Sequence, residues 1–588
     1  MLMWRAILPL TTLLVCTLAI GTDPVDNFCR RLNHQSTIKD GKLYIDGGVE
    51  TYAEKDDDGQ VESARILGYN TQLIEVDMTS SWDWKDNISI TAVDKTANPS
   101  TGTEPPLVVR GALYSGPTTD SKIYLYGGTT SSVNTSFPGF KPPTSSQYTL
   151  WSYDPAEDRW DQYDVTEDVP YSPAGGSYTE APNLGQAFYL NGFIDSGTSN
   201  GLEHMSNFRR YLDGLVVIDL PTQVAMNVST VWLRRSPRAK GGMVYIPGAG
   251  SQGMLVAMGG VTKPTSDSSA SNDGTYVTFD QIDFLDVESI ADDSRNATWL
   301  VQKTVGDIPS PRTDFCLVAA SAKDNSSHNV YLYGGRGANE DYDEVYILSM
   351  PSFTWTRVYS GESPRYGHTC HLVGNRQMLT VGGATSDDLT STCDWEREGV
   401  AIFDMTDLKW GSVYRSAAPE YQVPRPVLRT IGGEPDGNAR MKEPPHGFST
   451  RQIAQFFRTP LDNGTEEDAL EREGLDPRDV SGIVIGSVGG AALILGSVYF
   501  WIRQRKRQDS DAESEPWTEE KSTSWREDKG PSWTEHRDFA YVGATTCRNP
   551  AGQQVELPDS TRPPAQLPAT SALQEMDANH VRELPTTK

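Results

Sequence analysis

Histidine and cysteine are scarce in this sequence, with eight and six residues among 588. That excludes a disulfide-dense scaffold and leaves few ligands for a metal centre. Basic residues are short as well. Lys and Arg number 51 against 79 Asp and Glu, a net charge of −28. An acidic chain has no electrostatic grip on nucleic acid, so no nucleic-acid partner is expected. The segment from Arg503 onward holds 12 basic and 15 acidic residues, so most of the excess lies before it. No nucleotide-binding glycine loop and no Gly-x-Ser-x-Gly nucleophile element occurs. No catalytic residue and no cofactor is expected.

Long apolar runs are limited to two. The first, Ala6 to Ile20, follows Arg5 and reads as a signal peptide cleaved near Gly21, over residues 1–21. The second, Val480 to Ile502, carries no charge across 23 residues, enough to cross a bilayer. Tyr499 and Trp501 sit at its end, and Arg503, Arg505, Lys506 and Arg507 follow. Basic residues stay on the cytoplasmic side. The pattern predicts a single-pass type I protein of the plasma membrane or another secretory membrane. N-glycosylation sequons start at Asn87, Asn134, Asn227, Asn296, Asn325 and Asn463, all before this run. Gly482, Gly486 and Gly490 form one small-residue ridge. It reads either as a homodimer contact or as the ordinary glycine content of membrane helices.

Between the runs one pattern recurs. A short β-type segment ends in a glycine pair, at Gly47-Gly48, Gly127-Gly128, Gly259-Gly260, Gly334-Gly335 and Gly382-Gly383. A degenerate copy places Asn191-Gly192 in the same role. Each pair is followed by a second strand and then a tryptophan, at Trp82 and Trp84, Trp160, Trp232, Trp299, Trp355 and Trp410. Ser-Pro-Arg precedes three strands, at Ser236-Pro237-Arg238, Ser310-Pro311-Arg312 and Ser363-Pro364-Arg365. Kelch-sized repeats with insertions have this form. A four-stranded blade cannot bury both faces alone, so blades stack around an axis, with tryptophans between sheets. The count is six blades. Tyr421 to Gly433 resembles the start of another, so it either closes the ring or belongs to a seventh.

The expected fold is therefore an all-β, kelch-type β-propeller over residues 22–433. A juxtamembrane stalk at 434–479, a transmembrane helix at 480–502 and a disordered cytoplasmic tail at 503–588 follow. The organisation from Cys29 to Arg507 resembles the membrane-anchored kelch proteins of filamentous fungi, which share a leader, a propeller, one helix and a polar tail. That resemblance implies fold rather than activity. Kelch propellers include copper enzymes related to galactose oxidase, in which one ligand histidine follows a tyrosine. Here His34, His204, His328, His368, His371 and His446 do not.

Of the cysteines, Cys16 lies in the leader and Cys547 in the tail. Cys370 and Cys393 flank one hairpin and are expected to pair, with Cys29 and Cys316 as a second bridge. His368, Cys370 and His371 invite a metal reading that Cys393 could extend. Without a second clustered ligand pair the structural reading prevails, and no metal site is expected. Asp56-Asp57-Asp58 and Glu340-Asp341 read as solvated loop charge, favouring a basic or calcium-bridged partner. In the tail, Trp517, Trp525 and Trp533 recur every eight residues, as a docking motif for a cytoplasmic adaptor or as low-complexity drift. Two functions remain. One is a module that binds a protein or glycan through loops at one mouth of the propeller. The other is a secretory-pathway enzyme, a metal-dependent oxidase or isomerase, working in its channel.

Overall fold

The computed structural model describes residues 22–457, apart from 54–64, 131–135, 145–146, 166–171, 206–207, 268–273, 293–296 and 397. The leader, the apolar run at 480–502, the tail tryptophans and Asn134, Asn296 and Asn463 lie outside these residues. So do Asp56, Asp57 and Asp58. Among the described residues no helix is long and apolar enough to cross a membrane.

Six antiparallel sheets carry the fold. The first pairs Gln35–Lys39, Lys42–Asp46, Gln72–Asp77 and Ile90–Asp94 in that order. The second runs Ala112–Tyr114, Ile123–Tyr126, Leu150–Asp154 and Arg159–Tyr163. The third runs Ser177–Ala181, Gln186–Leu190, Leu215–Asp219 and Val224–Val228, and the fourth Gly242–Ile246, Met254–Met258, Gln281–Asp286 and Trp299–Lys303. The fifth holds Cys316–Ser321, His328–Tyr333, Glu344–Met350 and Thr354–Ser360, with Val305–Gly306 added in parallel at its edge. The sixth holds Thr369–Val373, Gln377–Val381, Val400–Asp404 and Lys409–Gly411. The first strand of each sheet lies against the first strand of the next, and the sixth returns to the first. This cycle of up-and-down sheets is a β-propeller.

The core is divided among the interfaces. Leu43, Ile45 and Val76 of the first sheet pack on Leu379, Val381 and Ile402 of the sixth. Tyr44 and Leu73 pack on Leu113 and Leu125 of the second. The other four interfaces repeat the arrangement. Trp82, Trp84, Trp160, Trp299 and Trp355 are buried in these clusters, and Trp410 packs on one of them. Trp232 does not fill a gap. It is 65% exposed, while Leu233, 4% exposed, takes the inward position beside Trp299. The turn that bonds the Leu233 N–H to the Thr230 carbonyl leaves Trp232 on the outside.

The glycine pairs have a common job. Gly48, Gly128, Gly192, Gly260, Gly335 and Gly383 each donate an N–H across the interface, to Val108, Pro173, Arg238, Arg312, Arg365 and Arg31 respectively, at 2.8–3.0 Å. Both members of each pair have positive φ, and Asn191 adopts the same geometry at φ 54. A Cβ on Gly127 would lie 2.2 Å from the Pro173 carbonyl, so the contact requires a bare backbone.

Three sequence expectations need correction. The Tyr421–Gly433 segment starts no blade. Arg425–Ile431 is a helix with proline in its first turn, ending at Gly432. It packs on the fifth and sixth sheets through Val427 and Ile431. Residues 434–457 are not free stalk. Thr450 caps the helix Arg451–Phe456, and Ile453 is fully buried between the fourth and fifth sheets.

The disulfides pair the other way. Cys29 bonds Cys393, and Cys316 bonds Cys370. Cys370 and Cys316 lie on the first strands of neighbouring sheets, which adjoin at the centre. Cys393 lies in the sixth-sheet loop that packs over Phe28–Leu32, the strand carrying Cys29. Pairing followed which strands face each other, and hairpin proximity in sequence did not decide it.

Candidate interaction site at the channel mouth

Every first strand starts, and every second strand ends, on one face of the ring, here the front face. The long connections after the glycine pairs therefore gather there. They build small accessory sheets: Phe28–Leu32 with Val49–Tyr52 and Ile66–Tyr69, Phe193–Ile194 with Arg210–Tyr211, and Arg238–Ala239 with Val261–Thr262 and Thr275–Tyr276. The connections after the first and third strands lie on the back face; two of them, 78–89 and 287–298, are themselves long.

At the front the channel is rimmed by six equivalent residues, Asn33, Arg110, Gly175, Lys240, Asp314 and Gly367. Each precedes a first strand and each has φ between 55 and 66. Their backbones form one closed loop. Asn33 donates to Gly367, Gly367 to Asp314, Asp314 to Lys240, Lys240 to Gly175, Gly175 to Arg110, and Arg110 to Asn33, at 2.7–3.1 Å. Arg110 and Asp314 sit at opposite positions of this loop and form an ion pair across it.

Behind the rim stand the Ser-Pro-Arg arginines. Arg238 reaches Asp283 at 2.6 Å, Arg312 reaches Glu344 at 2.9 Å, and Arg365 reaches Asp394 at 2.7 Å, all from buried positions. Arg31 takes the same place in the first sheet, paired with Glu50. Each rim residue lies two positions after one of these, or after Val108 or Pro173 where the arginine is absent.

The rim is densely charged, with four cations facing four carboxylates. Arg209 pairs with Asp195 at 3.4 Å, and Arg336 pairs with Asp341 at 2.7 Å and Asp387 at 2.6 Å. Lys240 has no ion pair among the described residues. Burial, and then Arg110, push its ammonium down to about 8 against the attraction of Asp314, with Arg209 and Arg336 adding to the effect. Burial alone would raise Asp314, but Arg110 and Lys240 outweigh it and hold the carboxyl at about 2. Of the acidic loop residues read from the sequence, Asp341 is engaged by Arg336 and Glu340 is exposed.

Below the rim the first strands enclose a cavity of about 240 Å³, lined in part by Ser36, Tyr178, Glu180, Cys316, Cys370 and His371. Successive side chains of the strand Thr369–Val373 diverge. Cys370 turns to the fifth sheet and His371 to the first, where its Nε2 lies 2.7 Å from the Ser36 hydroxyl. Thr369 joins Ser36 to His34. Burial pushes His371 down to about 4 and His368 to about 3, and holds His34 far below its usual range. A base that weak is poorly matched to proton abstraction near neutral pH.

The remaining histidines are dispersed. His204 lies in a front loop, His328 at a back turn, and His446 near the C-terminal helix. Of the described sequons, Asn87 and Asn325 are exposed, whereas Asn227 is half-buried with its Oδ1 enclosed.

The chain has sequence likeness to known kelch-repeat proteins. Residues 252–425, from the fourth sheet to the sixth, match the family model described as the KLHDC2/KLHL20/DRC7 Kelch-repeats domain. A kelch repeat-containing protein of Arthroderma benhamiae is 28% identical over 561 residues, covering 83% of this chain and 77% of its own length. Host cell factor of Drosophila melanogaster is 31% identical over 141 residues, which is 22% of this chain and 9% of that protein. The solved structure of YjhT aligns with 67% of this chain and 100% of its own, at 14% identity and a TM-score of 0.43.

Proposed function

We propose that this kelch-repeat chain is a protein-interaction module, a six-bladed ring whose front mouth takes an acidic segment of a partner. The observation that carries the reading is Lys240, a desolvated cation without an ion pair among the described residues, set beside Arg110, Arg209 and Arg336 on a hydrogen-bonded rim. An acidic side chain or carboxylate placed there gains charge-assisted hydrogen bonds where water is already partly excluded. A glycan without charge would gain little from these four cations. The front connections vary in length while the strands stay regular, so they supply specificity around a fixed centre.

The leader, the one-sided sequons and the apolar run at 480–502 support placing this module outside the cell or in the lumen. The ridge Gly482, Gly486 and Gly490 then offers a dimer contact, and Trp517, Trp525 and Trp533 offer an adaptor site. Protease added to intact cells should digest the propeller and spare the tail; the opposite pattern rejects this orientation.

Binding is tested by titrating the full-length protein in detergent with fluorescent poly-L-glutamate, with poly-L-lysine as the comparison. The acidic polymer should bind despite the net charge of −28, and salt should weaken it. Lys240→Glu should weaken binding by at least about tenfold, equivalent to about 1.4 kcal/mol. Lys323→Glu, in a back-face turn, should leave it unchanged. Equal losses in both variants, or a preference for poly-L-lysine, would reject the reading.

A further inference from the structure

The channel wall holds a grouping that the front mouth does not use. Cys316 opens the strand Cys316–Ser321 of the fifth sheet, and Cys370 lies second in Thr369–Val373 of the sixth. Their Cα atoms are 5.6 Å apart and their sulfurs are bonded. His368 stands two residues before Cys370, at the entry of the same strand. A ring nitrogen of His368 and the two sulfurs all lie within 4.8 Å of one another. Among the described residues no other set of three His, Cys, Asp or Glu ligands meets this spacing.

His368 itself supplies a second, independent observation. It is 5% exposed, and neither ring nitrogen is held in a hydrogen bond of normal geometry. Its nearest backbone partner is at Tyr333, whose ring it meets edge-on at 5.1 Å. Even with that contact one buried imidazole nitrogen is left over, which is costly, and ligation is one use that justifies it.

We propose that reduction of the Cys316–Cys370 bond converts this clasp into a site for a thiophilic metal ion such as zinc, held by both thiolates and His368. Two sulfurs and one imidazole form a soft to borderline donor set, suited to zinc or copper(I) and unsuited to calcium or magnesium. In a tetrahedral zinc site with Zn–S bonds of about 2.3 Å the sulfurs stand roughly 3.8 Å apart. Cα atoms 5.6 Å apart are compatible with that separation. The cavity of about 240 Å³ against which Cys316, His368 and Cys370 lie leaves room for the ion and for a fourth ligand.

The redox step balances with a dithiol as reductant. The dithiol gives two electrons and two protons, becomes a cyclic disulfide, and leaves Cys316 and Cys370 as thiols. The metal ion then displaces those two protons to solvent. The first strands of the fifth and sixth sheets thus remain clasped in either redox state, by a covalent bond or by coordination. Cys29–Cys393 has no such histidine and serves as the internal control.

The test uses the full-length protein in detergent, reduced anaerobically with dithiothreitol, freed of reductant and titrated with cobalt(II) as a spectroscopic stand-in for zinc. Reduced protein should take up one cobalt with a thiolate-to-metal charge-transfer band that zinc abolishes, and oxidised protein should show none. The Cys29→Ser, Cys393→Ser protein should behave like wild type. Cys316→Ser should lose the band. His368→Asn should weaken cobalt binding at least roughly tenfold, since even groups that only support a ligand are worth that much. If His368→Asn misfolds, its circular dichroism in the oxidised state reveals it, and Cys316→Ser and Cys370→Ser carry the test. Reduced wild type that takes up no cobalt, or a band that survives Cys316→Ser or a folded His368→Asn, overturns the proposal.

Discussion

At the residue scale, the ion pairs divide into buried ones that hold the ring and surface ones that decorate it. Arg365 lies between Asp394 and Glu396, all three buried. Removing it strands two acids in a dry site, so Arg365→Ala should cost about 3–5 kcal/mol in urea unfolding. Arg357 meets Glu344 at the surface at 3.4 Å, and Arg357→Ala should cost less than about 1 kcal/mol. Equal costs would show that burial does not set the energetics here. His328 gives a pH dependence. Burial pushes it down to about 4, below the 6.5 of the unfolded chain, so the unfolded state takes up the proton first. Its contribution is complete above about pH 6.5 and is lost as the pH falls towards about 4, worth roughly 3 kcal/mol over that window. His328→Gln should flatten the acid limb of a stability–pH curve, and an unchanged limb would contradict the assignment. The role of Ser-Pro-Arg was only half legible in the sequence. Its recurrence marked strand entry, but the rim residues two positions on, Lys240, Asp314 and Gly367, differ in type and carry no common letter. Their shared property is a left-handed backbone, which spacing alone does not display.

At the scale of single elements, the repeats were legible because they answer to one physical demand. Each glycine pair must pass its N–H to the next sheet, and only a bare or Asn backbone tolerates the turn. Asn191 was recognisable as a degenerate copy for that reason. Trp232 was not recognisable as an exception, because the turn placing Leu233 inward depends on the neighbouring sheet. Trp355→Ala should therefore cost about 3–5 kcal/mol, while Trp232→Ala should lie within about 0.5 kcal/mol of wild type. Thermal unfolding of the two variants distinguishes them, and similar losses would contradict the packing described.

At the scale of the whole ring, closure is the decisive event. Val413–Tyr414 pairs with Trp82–Asp83, and Cys29 bonds Cys393 across 364 residues of sequence. Cys316–Cys370 spans 54. In the chain-entropy view the longer loop restrains the unfolded chain more, so Cys29→Ser with Cys393→Ser should destabilise by about 1–2 kcal/mol more than Cys316→Ser with Cys370→Ser. Neither pairing was legible in the sequence, since four cysteines allow three connectivities and only the assembled ring shows which strands adjoin. The ring gathers the connections after the glycine pairs and the rim with Lys240 on one face, where the proposed acidic partner would meet it. Hydrogen–deuterium exchange of the full-length protein, with and without saturating poly-L-glutamate, tests that directly. Protection should appear at the rim amides of Asn33, Arg110, Lys240 and Asp314 and in the front loops after Gly48 and Gly335. Protection confined to the back-face turns around Lys323 and Gly250 would contradict it.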